Sequence, residues 1–155
     1  AYGERRAILR ERVLAMKALW THDEASFDGE HVQIEPSWAW PKPAQAGGPP
    51  VILGGDAGPK TAAHIAEFCD GWMPIGGRHP LIRRSEVEAA CERIGRDPAT
   101  VEIGVFGARP DEAELHELAG KGVRRAVFAL PQGPADEVLT ALDEMAPLVE
   151  ALRDA

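Results

Sequence analysis

Val51-Ile52-Leu53-Gly54-Gly55-Asp56-Ala57-Gly58-Pro59-Lys60-Thr61 passes from a continuously apolar run, through a glycine turn, into a helix start. A short run without alternation is the pattern of a strand covered on both faces, as in a parallel sheet. Proline suits the first turn of a helix, where its missing N–H costs nothing, so the spacing predicts a strand at 51–53 and a helix over 59–68. The same order recurs three times downstream. Gly71-Trp72-Met73-Pro74-Ile75 leads through Gly76-Gly77-Arg78 to a helix over 80–94. A strand at 101–106 precedes a helix over 111–119, and a strand at 126–130 precedes a helix over 135–152. Four strand-helix units joined by short loops imply parallel strands and right-handed crossovers. No Gly-x-Gly-x-x-Gly follows the first strand, which disfavours a doubly wound dinucleotide fold and favours a barrel. A complete (β/α)8 barrel takes roughly 250 residues, so an α/β chain of 155 residues with four units describes half of one.

Upstream of this array, Ile8, Leu9, Val13, Met16, Leu19 and Trp20 recur at steps of three and four, which predicts an amphipathic helix over 5–20. Phe27 to Ile34 alternates around Asp28-Gly29 and reads as a short hairpin or an extended excursion. Five prolines between Pro36 and Pro50 leave too few donors for a ladder, so an irregular loop follows. The expected organisation is a single half-barrel domain: a helix over 1–22, the hairpin and Pro-rich loop over 23–50, and four strand-helix units over 51–155. Trp38 and Trp40, in a helix-to-strand connection, are expected to plug the bottom of the barrel. The position of Trp72 in its strand does not decide whether it points inward or under a helix. Ala1 at the start, with helical periodicity setting in almost at once, reads as a fragment.

Composition narrows the function classes. With 45% hydrophobic residues the chain supports a core, and Gly 16 and Pro 13 stay below the level of a disordered chain. A net charge of -8 repels nucleic-acid backbone and anionic membrane, so neither is an expected partner. No apolar run approaches the roughly 20 residues of a membrane span, and no signal peptide is visible. A soluble, cytoplasmic protein is therefore expected. Cys69 and Cys91 lack Cys-x-x-Cys spacing and read as buried thiols, and the five histidines lack any metal-binding spacing, so no metal is expected.

In parallel strand-helix folds ligands bind at the carboxyl ends of the strands. The loop Gly54 to Thr61 offers close backbone approach and free amides at a helix start, which suit a phosphate. A tight structural turn explains the same glycines. The glycine-to-lysine spacing is one residue short of a Walker A loop. The second loop joins Gly76 and Gly77 to Arg78, whose guanidinium offers bidentate donors to an anion. The loops at Arg109 and Gln132 carry weaker signals. No Ser-His-Asp, Cys-His or paired-carboxylate arrangement stands out, so no catalytic residue is assigned.

Five pieces in order carry a family resemblance: Arg12-Val13-Leu14-Ala15-Met16-Lys17-Ala18-Leu19-Trp20, Ser26-Phe27-Asp28-Gly29-Glu30-His31, Pro41-Lys42-Pro43, Pro50-Val51-Ile52-Leu53-Gly54-Gly55 and Asp70-Gly71-Trp72-Met73-Pro74. The chain resembles the luciferase-like monooxygenase family. More narrowly, it is similar to that family's actinobacterial oxidoreductases that use the deazaflavin coenzyme F-420. The resemblance implies the carboxyl-terminal half of a barrel enzyme acting on a small-molecule substrate, with F-420, or alternatively FMN, across the strand ends. It implies that Gly54 and Gly55 approach the cofactor's phosphate tail, with Ala57, Gly58 and Thr61 beside them and Gly76, Gly77 and Arg78 as further contacts. The ring-facing residues belong to the other half. A half barrel leaves edges bare, so a homo-oligomer or pairing with the missing half is expected. Two rival readings are a non-catalytic, self-associating half barrel that binds a phosphorylated small molecule, and a phosphosugar isomerase or lyase.

Overall fold

The computed structural model describes residues 2–76 and 81–151. Its elements are α1 (Arg5–Thr21), β1 (Ala25–Asp28), β2 (Gln33–Ser37), β3 (Ile52–Gly54), α2 (Pro59–Phe68), β4 (Gly71–Met73), α3 (Arg84–Arg93), β5 (Glu102–Phe106), α4 (Glu112–Gly120), β6 (Val123–Val127) and α5 (Ala135–Ala151). β3, β4, β5 and β6 form one parallel sheet in that order, and β1 and β2 form a separate antiparallel hairpin. The α/β half-barrel pattern read from the sequence is present.

Alternation along the strands divides the sheet into two faces. Leu53, Trp72, Ile103, Val105 and Val123 meet Ala62, Ile65 and Ala66 of α2, Val87, Ala90 and Cys91 of α3, and Leu115 and Leu118 of α4 in one apolar cluster. The opposite face carries Met73 against Gly104, an Arg125–Glu102 ion pair at 3.2 Å, and Phe106, which is 52% exposed. Burial of apolar surface is the main stabilising term, and here it lies between the sheet and its helices. Trp72 therefore points under the helices, where it is 1% exposed.

α1 packs on this unit through Val13, which meets Phe68 and Cys69, and through Arg10, whose Nε is 2.9 and 2.8 Å from the two Glu67 carboxylate oxygens. Lys17 stands 3.4 Å from Asp70 at the start of β4, whereas Arg5 and Arg6 stand near Gly54 at the end of β3. The helix thus runs back along the sheet, as a crossover helix does. The hairpin is held to α1 by Glu11, whose carboxylate accepts the backbone N–H groups of Glu30, His31 and Val32 at 3.1, 2.7 and 2.9 Å. Burial pushes this carboxyl upward, but the three amide bonds outweigh it and hold it below its ordinary range.

Several expectations are corrected. The last strand occupies 123–127 rather than 126–130, because its register is set by pairing with Ile103 to Phe106. Arg124 and Arg125 are tolerated in it since an edge strand keeps one flank in water. β4 stops at Met73. Pro74 interrupts the ladder, and Ile75 rejoins β5 through a single bridge to Phe106. The third helix begins at Arg84 rather than 80, after a turn at 81–83; residues 77–80 and Leu152 lie outside the described residues. β2 runs on to Ser37, past Pro36, which a two-stranded edge permits. Trp38 and Trp40 are 72% and 66% exposed in this chain. Trp40 instead faces Lys42, whose ammonium donates to the Leu19 carbonyl at 2.7 Å and to that of His22, tying the loop to the end of α1.

Candidate functional site

The carboxyl end of β3 turns at Gly55, whose φ of +104° only glycine adopts without strain. Its N–H donates to the Met73 carbonyl at 3.0 Å, and its own carbonyl accepts the Trp72 indole N–H at 2.8 Å. The glycine turn is thereby fastened to the largest side chain of the core. Beyond it, Ala57 is fully buried in the apolar cluster and anchors the loop. Gly58 is the residue before α2, and no side chain caps that helix. The first-turn amides therefore face outward with the positive end of the helix dipole behind them.

These amides open on a cleft of about 830 Å³ between α1 and the β3–α2 turn. Its walls include Arg5, Arg6, Leu9 and Arg12 on one side, and Gly54, Asp56, Gly58, Thr61 and His64 on the other. A Cβ at Gly55 or Gly58 would meet nothing within 4 Å, and one at Gly54 would meet only the Met73 carbonyl, at 3.9 Å. Space above the backbone is thus kept free. The one carboxylate on the rim, Asp56, lies 3.4 Å from the Arg83 guanidinium, which offsets its charge. Three arginines, an uncapped helix start and bare backbone give the cleft a chemistry suited to an anion.

Among the sequence-predicted residues, Gly54, Gly58 and Thr61 line this cleft, Gly55 shapes it, and Ala57 supports it from below. Gly76 lies one loop away. Its N–H donates to the Phe106 carbonyl, and a Cβ there would collide with the Gly107 carbonyl, so close backbone approach accounts for that glycine. Gly77 and Arg78 lie outside the described residues. Arg109 pairs with Glu114 on the loop after β5. Sequence reasoning missed Arg5, Arg6, Arg12 and His64. Their signal was a basic cluster on α1, which reads equally as an ordinary solvated face.

His64 sits against Phe68, ring centroids 5.3 Å apart. Burial lowers its pKa first, Glu67 partly restores it, and Arg10 and Arg6 lower it further. A folded pKa below the unfolded value means that the unfolded chain binds more protons across that window. Stability conferred by neutral His64 is full above about 6.5 and declines as pH falls below it. Urea midpoints should therefore drop between pH 8 and pH 5.5, and His64→Asn should show a smaller drop. An unchanged pH dependence in the variant would refute the placement of this ring. Burial raises the Cys69 thiol to about 11 and also raises Cys91, so neither is a thiolate nucleophile near neutral pH. Among the described residues no group of three or more His, Cys, Asp or Glu side chains could hold a metal ion.

The family profile described as luciferase-like monooxygenase matches residues 1–149. An uncharacterized protein of Mycobacterium tuberculosis strain H37Rv is 36% identical over 148 residues, which are 93% of this chain and 51% of that protein. The F420-dependent glucose-6-phosphate dehydrogenase of Gordonia bronchialis is 32% identical over 100 residues, 62% of this chain and 29% of the relative. The FMNH(2)-dependent dimethylsulfone monooxygenase of Pseudomonas putida is 25% identical over 143 residues, 90% of this chain and 39% of the relative. Among solved structures, an F420-dependent secondary alcohol dehydrogenase superposes with a TM-score of 0.56 at 17% identity, over 93% of this chain and 53% of that one. The chain spans about half the length of the first of these relatives and of the superposed structure, and less of the other two. No helix among the described residues is long and apolar enough to cross a membrane.

Proposed function

This chain belongs to the luciferase-like monooxygenase family, and on that premise we propose that it supplies the phosphate-tail side of a deazaflavin or flavin site in an oxidoreductase. Coenzyme F-420 is the favoured cofactor and FMN the alternative; relatives named for each are similar to this chain. The bound ring supplies the hydride chemistry that no protein side chain performs. The chain's own residues bind and orient. The amides after Gly58 and the Thr61 hydroxyl donate to phosphate oxygens, Gly54 and Gly55 let the backbone approach, and Arg6 and Arg12 balance the negative charge. The substrate is a small molecule taken up at the same rim. The observation that carries this reading is the uncapped start of α2 opening on an arginine-lined cleft.

Gly58→Asp tests it. The backbone there, φ −58°, accepts any residue, and open space surrounds the added side chain. An aspartate before the helix caps its free amides and stabilises it slightly, but places a carboxylate where the phosphate belongs. The variant should melt at or above the wild-type temperature while its Kd for F-420 and FMN, measured by fluorescence quenching, rises at least about tenfold. Absence of binding of either cofactor to the wild-type chain, or unchanged binding by the variant, would overturn the proposal.

A further inference from the structure

Asp56 places a carboxylate where an anion is to bind. Among the side chains that line the cleft, Arg5, Arg6 and Arg12 only donate hydrogen bonds, and Asp56 is the single carboxylate. Toward a bare phosphate it is repulsive. Its surroundings give it little structural work. It stands two residues before Gly58, and no side chain caps α2. Among the described residues its one polar partner is Arg83, whose Nε lies 3.4 Å away. Arg83 does not depend on that pair, because its Nη1 donates to Glu86 at 3.0 Å. The Asp56 side chain stays 70% exposed in spite of the pair, so most of the acceptor capacity of its two oxygens is open.

The position of this carboxylate limits what it can accept. The Arg83 guanidinium offsets its charge, which weakens its pull on a second cation but leaves the oxygens able to accept from a neutral O–H. Two residues span at most about 7 Å of chain, so the group met by Asp56 and the group met by the amides after Gly58 are close neighbours on one ligand. An anion flanked within a few bonds by neutral hydroxyls is a phosphorylated polyol.

We infer that Asp56 sets the specificity of this cleft: its carboxylate accepts hydroxyls of a polyol chain next to the phosphate and disfavours phosphates that lack them. This rests on the phosphate reading of the α2 start and adds to it a selection among phosphates.

Two flavin probes test it by fluorescence quenching. FMN carries its phosphate at the end of a hydroxylated ribityl chain; the second probe joins the same ring and phosphate through an unsubstituted pentyl chain. In Asp56→Ala the Kd for FMN should rise at least about fivefold, because the hydroxyls lose a charged acceptor. The Kd for the pentyl probe should fall at least about twofold, because a repulsive charge is gone. Asp56→Asn keeps an acceptor oxygen without the charge, so it should lose less affinity for FMN while still gaining for the pentyl probe. A turn loosened by the substitution would weaken both ligands alike, so shifts of opposite sign separate specificity from structural damage. Both probes moving together in Asp56→Ala, or neither moving, would overturn the proposal and leave the phosphate reading standing. A wild-type chain that binds neither probe would remove the anion site and the proposal with it.

Discussion

Trp72→Ala should cost about 3–5 kcal/mol of unfolding free energy, the range for removing a fully buried large aromatic side chain. Single domains are stable by only about 5–15 kcal/mol, so the variant should be largely unfolded in modest urea. Two features give the residue this weight. Its side chain is the largest of the fully buried ones, filling the space between β4 and the helices over it, and its indole N–H ties the core to the Gly55 carbonyl. Trp72→Phe separates the two roles. It keeps most of the apolar volume but leaves that carbonyl without the indole donor, at a cost of about 1–2 kcal/mol. Released from its anchor, the glycine turn should also bind F-420 or FMN less tightly. Urea unfolding followed by far-UV circular dichroism reads the first effect and fluorescence quenching the second. A cost below about 1 kcal/mol for Trp72→Ala would contradict the burial of this ring.

The second large effect concerns Arg96. Its Nη1 donates to the carbonyls of Ile65, Ala66 and Cys69 at 3.1, 2.8 and 2.8 Å, and its Nε to the Thr100 hydroxyl at 2.8 Å. The guanidinium therefore closes the carboxyl end of α2, where the dipole is negative; the Ile65 carbonyl also accepts the Cys69 N–H, at 3.3 Å. Removing a half-buried charged donor from several carbonyls should cost about 2–3 kcal/mol. Arg96→Lys keeps the charge but not the planar fork that reaches three acceptors and Thr100 together, and should recover only part of the loss. Because α2 carries the Gly58 amides at its other end, Arg96→Ala should also raise the cofactor Kd. Hydrogen exchange of the α2 amides should show the loosening. Full recovery by lysine would mean that charge alone, without the fork, closes the helix.

Much of this architecture was legible in the residue pattern. The helix at 59–68 was bounded correctly because Pro59 can stand only near a helix start and the apolar period ends at Phe68. The hairpin was visible from Asp28-Gly29, and the parallel array from unalternating runs followed by glycine. The last strand was misplaced by three residues because Val123-Arg124-Arg125 looks polar. Its charges are accommodated by an exposed flank and by the ion pair to Glu102, neither of which local sequence records.

The candidate site divides in the same way. Gly54, Gly55, Gly58 and Thr61 could be named from spacing, since a glycine turn before a helix start is a local feature. Arg5, Arg6 and Arg12 could not, because their relation to that turn depends on where a helix some fifty residues earlier in the chain packs.

The sequence alone thus determined the repeat of strand and helix, the parallel sheet and the phosphate-like turn, all of which follow from backbone preferences and polarity within a few residues. Tertiary structure decided which face of the sheet buries Trp72 and which arginines face the turn. Those outcomes depend on the packing of segments far apart in the chain, and the burial that selects them exists only once the segments meet.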